Sequence, residues 1–368
     1  MKNLEQINGR QFALLAIYIT IGDTILILPS VPAQAAGRDA WISALLGIVF
    51  GIGVVLLYSA VGKRNTGRTF VDYAESVLGR WLGGAVACAF LGYIFLSSAS
   101  HVREIGDFMT TQMMPETPIH AIHIFYAAVV LLAAYLGLEC IARTSEFFFP
   151  VLILFLIVFV LFLVPSIETS KLLPVMENGL GPVMQGAVST TAYPFAELSV
   201  LLMVIPHVNN SGAIRGSFLK GALFGGVVIA LIIFLSISIL GQDLAARNMY
   251  PSYALAKKID VGQFLQRIEV ILAFMWLLTS FIKTSLYFYV FHMTLAHLFR
   301  LQQYRSMILP SGVLLVSMSV LISPNINHFQ QMNEYWPYMD LILGVGTSLL
   351  LLAVGFFRGG SLSPKQGT

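Results

Sequence analysis

The sequence predicts an all-α integral membrane protein: ten transmembrane helices in a 5+5 inverted repeat, with helices 1 and 6 broken. Composition, the spacing of apolar windows and a matched pair of interruptions carry that expectation. Of 368 residues, 57% are hydrophobic and only 11% charged, with a mean hydropathy of +0.81. A soluble domain carries about 25% charged residues. Val151–Val164 and Val227–Leu240 have no charged residue at all. With no water in the bilayer core, such segments must satisfy their backbone groups internally, as helices. The net charge of +3 does not point to nucleic acid. The two cysteines, Cys88 and Cys140, exclude a disulfide framework and have no metal-ligand company.

Apolar windows between polar punctuation fall at 11–36, 40–62, 81–112, 118–138, 146–164, 183–206, 213–240, 264–297, 305–323 and 334–357. The first resembles a signal peptide, because a small-residue run, Ala33-Gln34-Ala35-Ala36, follows it. Its apolar stretch, Phe12 to Val31, is too long for one, and Gly22-Asp23 breaks it in the middle. It is read as span 1. Loop cations orient the chain. One side collects Lys2, Arg10, Lys63, Arg64, Arg68, Arg80, Arg143, Arg215, Lys220, Arg300, Arg305, Arg358 and Lys365. The other holds about half as many: Arg38, Lys171, Arg247, Lys257, Lys258 and Arg267. The richer side contains both termini, which are therefore expected in the cytoplasm.

Span 1 is interrupted at Gly22-Asp23-Thr24, where Gly and Asp favour leaving a helix. Span 6 is interrupted at Tyr193-Pro194-Phe195, where proline lacks an N–H and clashes with the preceding turn. These two spans open the successive sets of five, which enter the membrane from opposite sides. Paired interruptions at corresponding positions of an inverted repeat point to a binding site at the midplane. The chain is read as one integral-membrane domain over 1–368, with repeat one at about 11–164 and repeat two at about 183–357. Residues 69–79 read as a short amphipathic helix on the inner surface.

A charge at the bilayer centre costs about 2.5–3.5 kcal/mol on insertion scales, so charges inside spans are candidates for function. Asp23, Glu197 and Lys283 fall near one depth. Lys283 is expected to pair with one of the two carboxylates, leaving the other for a ligand or a proton; a structural salt bridge is the compatible alternative. On the outer half of span 3, Arg103, Glu104 and Asp107 share an arc of about 100°. They are expected to face an outer vestibule with Arg267 and Glu269, as a gate or a static ion network. His101 reads as a hydrogen-bonded residue of the bundle. His120 and His123 have a two-ligand spacing without a third ligand, so no metal is expected. No Ser-His-Asp set or phosphate loop is visible, so neither catalysis nor a cofactor is expected.

Several stretches resemble one family. They are Ile21-Gly22-Asp23-Thr24-Ile25-Leu26-Ile27-Leu28-Pro29, Gly37-Arg38-Asp39-Ala40-Trp41, Pro174-Val175 through Gly179-Leu180-Gly181-Pro182, and Tyr193-Pro194-Phe195-Ala196-Glu197. Arg267-Ile268-Glu269, Trp276 and Phe281-Ile282-Lys283 complete the set. Their order and spacing resemble the spore germination B subunits, the permease-like component of germinant receptors in endospore-forming bacteria. The resemblance covers essentially the whole chain. It implies the leucine-transporter-like fold of the amino-acid permease group, in which spans 1, 3, 6 and 8 surround the ligand. Carried onto this chain, the ligand would meet Gly22, Asp23, Thr24 and Ile25 of span 1 and Tyr93 and Ser97 of span 3. Tyr193, Phe195 and Glu197 of span 6 and Thr279 and Lys283 of span 8 would complete the site. Permeases of this group usually carry Gly-x-Gly at the first break; here the second glycine is Thr24, which weakens the case for an α-amino acid. Sodium-coupled relatives hold a cation between spans 1 and 8, where Lys283 would supply a tethered charge.

The implied function is a receptor subunit that binds a small nutrient and triggers germination. The resemblance also implies A-type and C-type partner subunits and the inner membrane of the spore. The alternative is a proton-coupled amino-acid transporter using the same site. The topology has a direct test. Reporter fusions after Lys220, Arg300 and Arg358 should report cytoplasm and one near Lys258 the outside; an external C-terminus would overturn the ten-span arrangement.

Overall fold

The computed structural model describes residues 5–65, 67–258, 269–301 and 303–357. The described residues are helical throughout, apart from loops and one isolated bridge between Ile7 and Val208. Span 1 is three pieces: α1 (Gly9–Ile21), α2 (Thr24–Ile27) and α3 (Ser30–Ala36). Asn8 caps α1 by accepting from the Gln11 N–H, while Gln11 reaches back to the Asn8 N–H. The second span is α4 (Ala40–Arg64), followed by the surface helix α5 (Phe70–Leu78). Thr69 and Asp72 cap α5 reciprocally, and Phe70, Val71, Tyr73, Ala74 and Val77 are its buried face. This is the amphipathic segment expected at 69–79.

Next come α6 (Arg80–Phe108), extended by one wide π-type turn over Met109–Met113, then α7 (Ile119–Leu136) and α8 (Leu138–Leu163). Span 6 is α9 (Leu180–Phe195), which continues through Pro194 and then tightens into 3-10 turns over Ala196–Met203. The break thus falls one residue beyond the Tyr193-Pro194-Phe195 run. Span 7 is α10 (Ile214–Leu240); two short helices, α11 (Gln242–Arg247) and α12 (Pro251–Lys257), follow outside it. Span 8 is α13 (Glu269–Phe299). Helix α14 (Ile308–Leu321) turns by 97° into α15 (Ile326–Asn333). Last come α16 (Trp336–Asp340), a π-type turn over Leu341–Gly346, and α17 (Thr347–Phe357). Among the described residues, eight helices are long and apolar enough to cross a membrane, or nine if the bent pair counts as one. The ten expected windows exceed that number because span 6 is no single helix of such length.

Small residues set the packing. Helix α9 lies on α4: Ser43 donates to the Val183 carbonyl (2.9 Å) and Thr190 to the Ser43 carbonyl (2.8 Å), and a Cβ on Gly186 would strike Ser43. Helix α10 lies as closely on α1, where a Cβ on Gly221 would collide with the Ala13 carbonyl and lie 2.8 Å from Ala16 Cβ. Such close backbone approaches are how helices associate where lipid offers no hydrophobic drive. Gly216, five residues earlier on α10, has open space around it. Gly221→Leu should therefore lower the melting temperature of detergent-solubilised protein by an overpacking cost of about 1–3 kcal/mol. Gly216→Leu should leave it unchanged or slightly higher; equal effects at both sites would contradict the packing.

Candidate functional site

The site is assembled by span 8. Thr279, Lys283 and Tyr287 recur every four residues on α13 and so form one stripe. Thr279 donates to the Gly22 carbonyl at the first break (3.0 Å). Tyr287 donates to the Glu197 carbonyl at the second (3.0 Å). Between them the Lys283 ammonium touches Asp23 Oδ1 and Glu197 Oε2. Lys283 thus pairs with both carboxylates rather than with one of them. Gly22 permits this approach: a Cβ there would strike Lys283 Cδ. Two acids on one base leave one negative charge in excess.

Span 3 forms the opposite wall. Tyr93, Ser97, His101 and Glu104 follow one another at intervals of four, four and three along α6, again one helical face. His101 Nε2 lies 3.9 Å from Asp23 Oδ2, with its ring edge-on to Tyr287 at 5.1 Å. Glu104 is buried on this face, within electrostatic reach of Asp23, Lys283 and Glu197. The expected grouping of Glu104 with the outer network is therefore corrected: it turns inward, 100° round the helix from Arg103. Arg103 instead donates to Asp107 (2.9 Å) and to the Ser323 carbonyl (2.7 Å), a buried ion pair joining span 3 to the end of span 9. Glu269 opens α13 and is partly exposed; Arg267 lies outside the described residues. Asp23, His101 and Glu197 bring ligand-type atoms within 4.8 Å of one another. The ammonium of Lys283 lies on both acids, so the group forms an acid cluster around a lysine.

The remaining expected contacts divide. Thr24 is buried beside the break and its hydroxyl has no hydrogen-bond partner. Ile25 is buried, its carbonyl accepting from Ser252 (2.6 Å). Ser97 donates to the Tyr93 carbonyl one turn back (2.9 Å). Phe195 is not brought to the cluster: its ring sits on Gly51 of span 2 and Gly226 of span 7. Tyr193 donates to the Asn333 carbonyl and lines a cavity of about 910 Å³. That cavity opens beyond the span 1 break, among Ser30, Gln34, Gln185, Asn248 and Gln330. At the other end of the bundle, the Glu5 carboxylate accepts from the Leu138 N–H (2.6 Å) and from Tyr289 and Tyr304 (3.3 Å each). The N-terminal segment is pinned there against 207–209.

Asp340 was missed. It is wholly buried where span 10 begins its π-type turn, and its Oδ1 accepts from Tyr93 (2.9 Å). The signal was the one that exposed Asp23, a carboxylate inside an apolar window. His101 and Glu104 were also legible, by continuing the Tyr93–Ser97 spacing along span 3.

The comparisons agree with this architecture. Residues 6–327 match the spore permease family, described as "Spore germination protein". Spore germination protein KB of Bacillus subtilis (strain 168) is 27% identical over 348 residues, covering 94% of this chain and 92% of that one. Among solved structures, MhsT in complex with L-phenylalanine superposes with a TM-score of 0.71 at 15% identity, over 96% of this chain and 88% of that one. Mhp1, a nucleobase-cation-symport-1 family transporter in a closed conformation with bromovinylhydantoin bound, gives 0.66 at 12% identity, over 95% and 76%. The molecule is an all-helical, multi-pass membrane protein of leucine-transporter-like, permease fold. The chain belongs to the spore germination protein family.

The Lys283 hub makes a thermodynamic prediction. Removing one partner of a buried pair strands the other, at about 3–5 kcal/mol. Lys283→Met and Glu197→Gln should each lower the melting temperature, and the double variant should be less destabilised than the two effects summed. Strict additivity in that double-mutant cycle would show the two side chains to be uncoupled.

Proposed function

We propose that the chain is the B subunit of a nutrient germinant receptor and that a small nutrient binds at the junction of the two broken helices. The observation that carries the site is the meeting of Asp23, Glu197 and Lys283 at both breaks. Family membership supports the role in germination. In this reading Gly22, Asp23, Thr24 and Ile25 meet the nutrient from span 1, and Tyr93 and Ser97 from span 3. Tyr193 and Glu197 do so from span 6, and Thr279 and Lys283 from span 8. Phe195 supports the break from behind.

The pairing of span 1 with span 7 and of span 6 with span 2 supports two repeats of five spans, because exchanging the repeats converts one pair into the other. A- and C-type subunits would read out the conformational state, with the chain in the inner membrane of the spore and both termini in the cytoplasm. A receptor needs only a ligand that binds one state better than another, and a few kcal/mol of differential affinity suffices. The transporter likeness of the fold favours one other reading, proton-coupled uptake of amino acids through the same site.

Deletion of the gene, or Tyr193→Ala, should leave vegetative uptake intact and erase or delay germination to one nutrient class. The cognate nutrient, found in a panel of amino acids, sugars and nucleosides, should stabilise the purified chain by about 2.7 kcal/mol at a hundred times Kd. Accumulation of labelled amino acid driven by a pH gradient in liposomes containing the chain alone, with germination unaffected by deletion, would establish the transporter instead.

A further inference from the structure

The large cavity beyond the span 1 break is lined by none of Asp23, Glu197 and Lys283. It measures about 910 Å³, within the range of small-molecule sites. Three helices wall it, each with one face. Ser30 and Gln34 lie four residues apart on α3, and Gln185 and Ser189 four apart on α9. Asn327, Gln330 and Gln331 make a stripe on α15, at intervals of three and four from the first.

Seven of the lining side chains are carboxamides. A carboxamide presents two N–H donors and an acceptor oxygen without net charge. Gln34 uses one donor on the Ala246 carbonyl (2.9 Å), which leaves its oxygen to the cavity. The side chains of Gln185, Gln330 and Gln331 are exposed and hydrogen-bond to nothing among the described residues. Arg247 and Glu334 are the charged members of the wall, and they are opposite in sign. Tyr335 and Tyr338, three residues apart, add exposed rings with apolar faces. Such a wall suits a neutral solute whose groups both donate and accept. A hydroxyl does both, whereas a carboxylate only accepts and an ammonium only donates, so either would leave part of the amide capacity unmet.

We propose that this cavity is a binding site for a neutral polyhydroxylated solute, a free sugar or the ribose of a nucleoside, distinct from the nutrient site at the junction. Held by α3, α9 and α15 at once, the solute bridges one piece of each broken span to the connection between spans 9 and 10. It lies beside Tyr193, whose hydroxyl is bonded to the Asn333 carbonyl in that connection. The proposal stands whether the chain signals or transports, because it rests on the cavity wall and not on the Lys283 cluster.

Saturation-transfer difference NMR tests it on the full-length chain in lipid nanodiscs, free of glycoside detergent. The probes are D-galactose, uridine and L-phenylalanine. Transfer to galactose ring protons, to uridine ribose protons or to both is expected, and which of them binds tells a sugar from a nucleoside. Gln185→Ala and Gln330→Ala should each raise the Kd about two- to tenfold, the worth of one hydrogen bond. Both positions are exposed, so the melting temperature should stay within a few degrees of wild type. Gln185→Trp adds bulk in place of a hydrogen-bonding group and should abolish transfer. Three results would each overturn the proposal: no transfer to either galactose or uridine, a Kd that none of these variants changes, or L-phenylalanine bound more tightly than both with the same sensitivity to Gln185→Trp. None of them bears on the junction, in which Gln185 and Gln330 take no part.

Discussion

The structure depends on one unbroken helix holding two broken ones. Span 1 and span 6 each give up regular α-helical hydrogen bonding inside the bundle, which is costly where no water can substitute. Span 8 repairs both with a single stripe of side chains: Thr279 for the Gly22 carbonyl, Tyr287 for the Glu197 carbonyl, and Lys283 for the two carboxylates between. Because the same rigid helix contacts both breaks, neither can move without disturbing the other. A ligand that competes for Lys283, or for the acids it holds, would act on both breaks together.

The two ends of the bundle differ in kind. At the N-terminal end, Glu5 draws together the turn before span 5, span 8 and Tyr304, while Ile7 pairs through its backbone with His207 and Asn209. Beyond the breaks lies a large cavity rich in amides and hydroxyls. Tyr193 and Asn333, which it hydrogen-bonds, both line that cavity.

Glycine governs both packing and chemistry. Gly221 lets α10 lie against the backbone of α1, and Gly51 and Gly226 receive the Phe195 ring. Gly22 gives its missing side chain's place to the stem of Lys283. The glycine at the first break is thus explained by a lysine from another span as much as by exposed backbone for a ligand.

The sequence by itself determined what lipid physics demands locally. Long uncharged windows had to be helices, Gly22 and Pro194 had to disturb them, and the few charges inside them had to matter because burying a charge is costly. Asp23, Glu197 and Lys283 were legible for that reason. Tertiary structure decided which face each helix shows and what meets there. A period of 3.6 residues puts Arg103, Glu104 and Asp107 on neighbouring arcs but does not say where the arc is divided; packing against spans 1 and 9 sent Glu104 inward and Arg103 to Asp107. The same ambiguity concealed Phe195, whose position beside a break says nothing about which side its ring takes. Lys283 could have chosen one acid by charge alone; only the convergence of spans 1, 6 and 8 at one depth gave it two. Asp340, distant in sequence from all of them, joined the site because Tyr93 on span 3 reaches across to span 10.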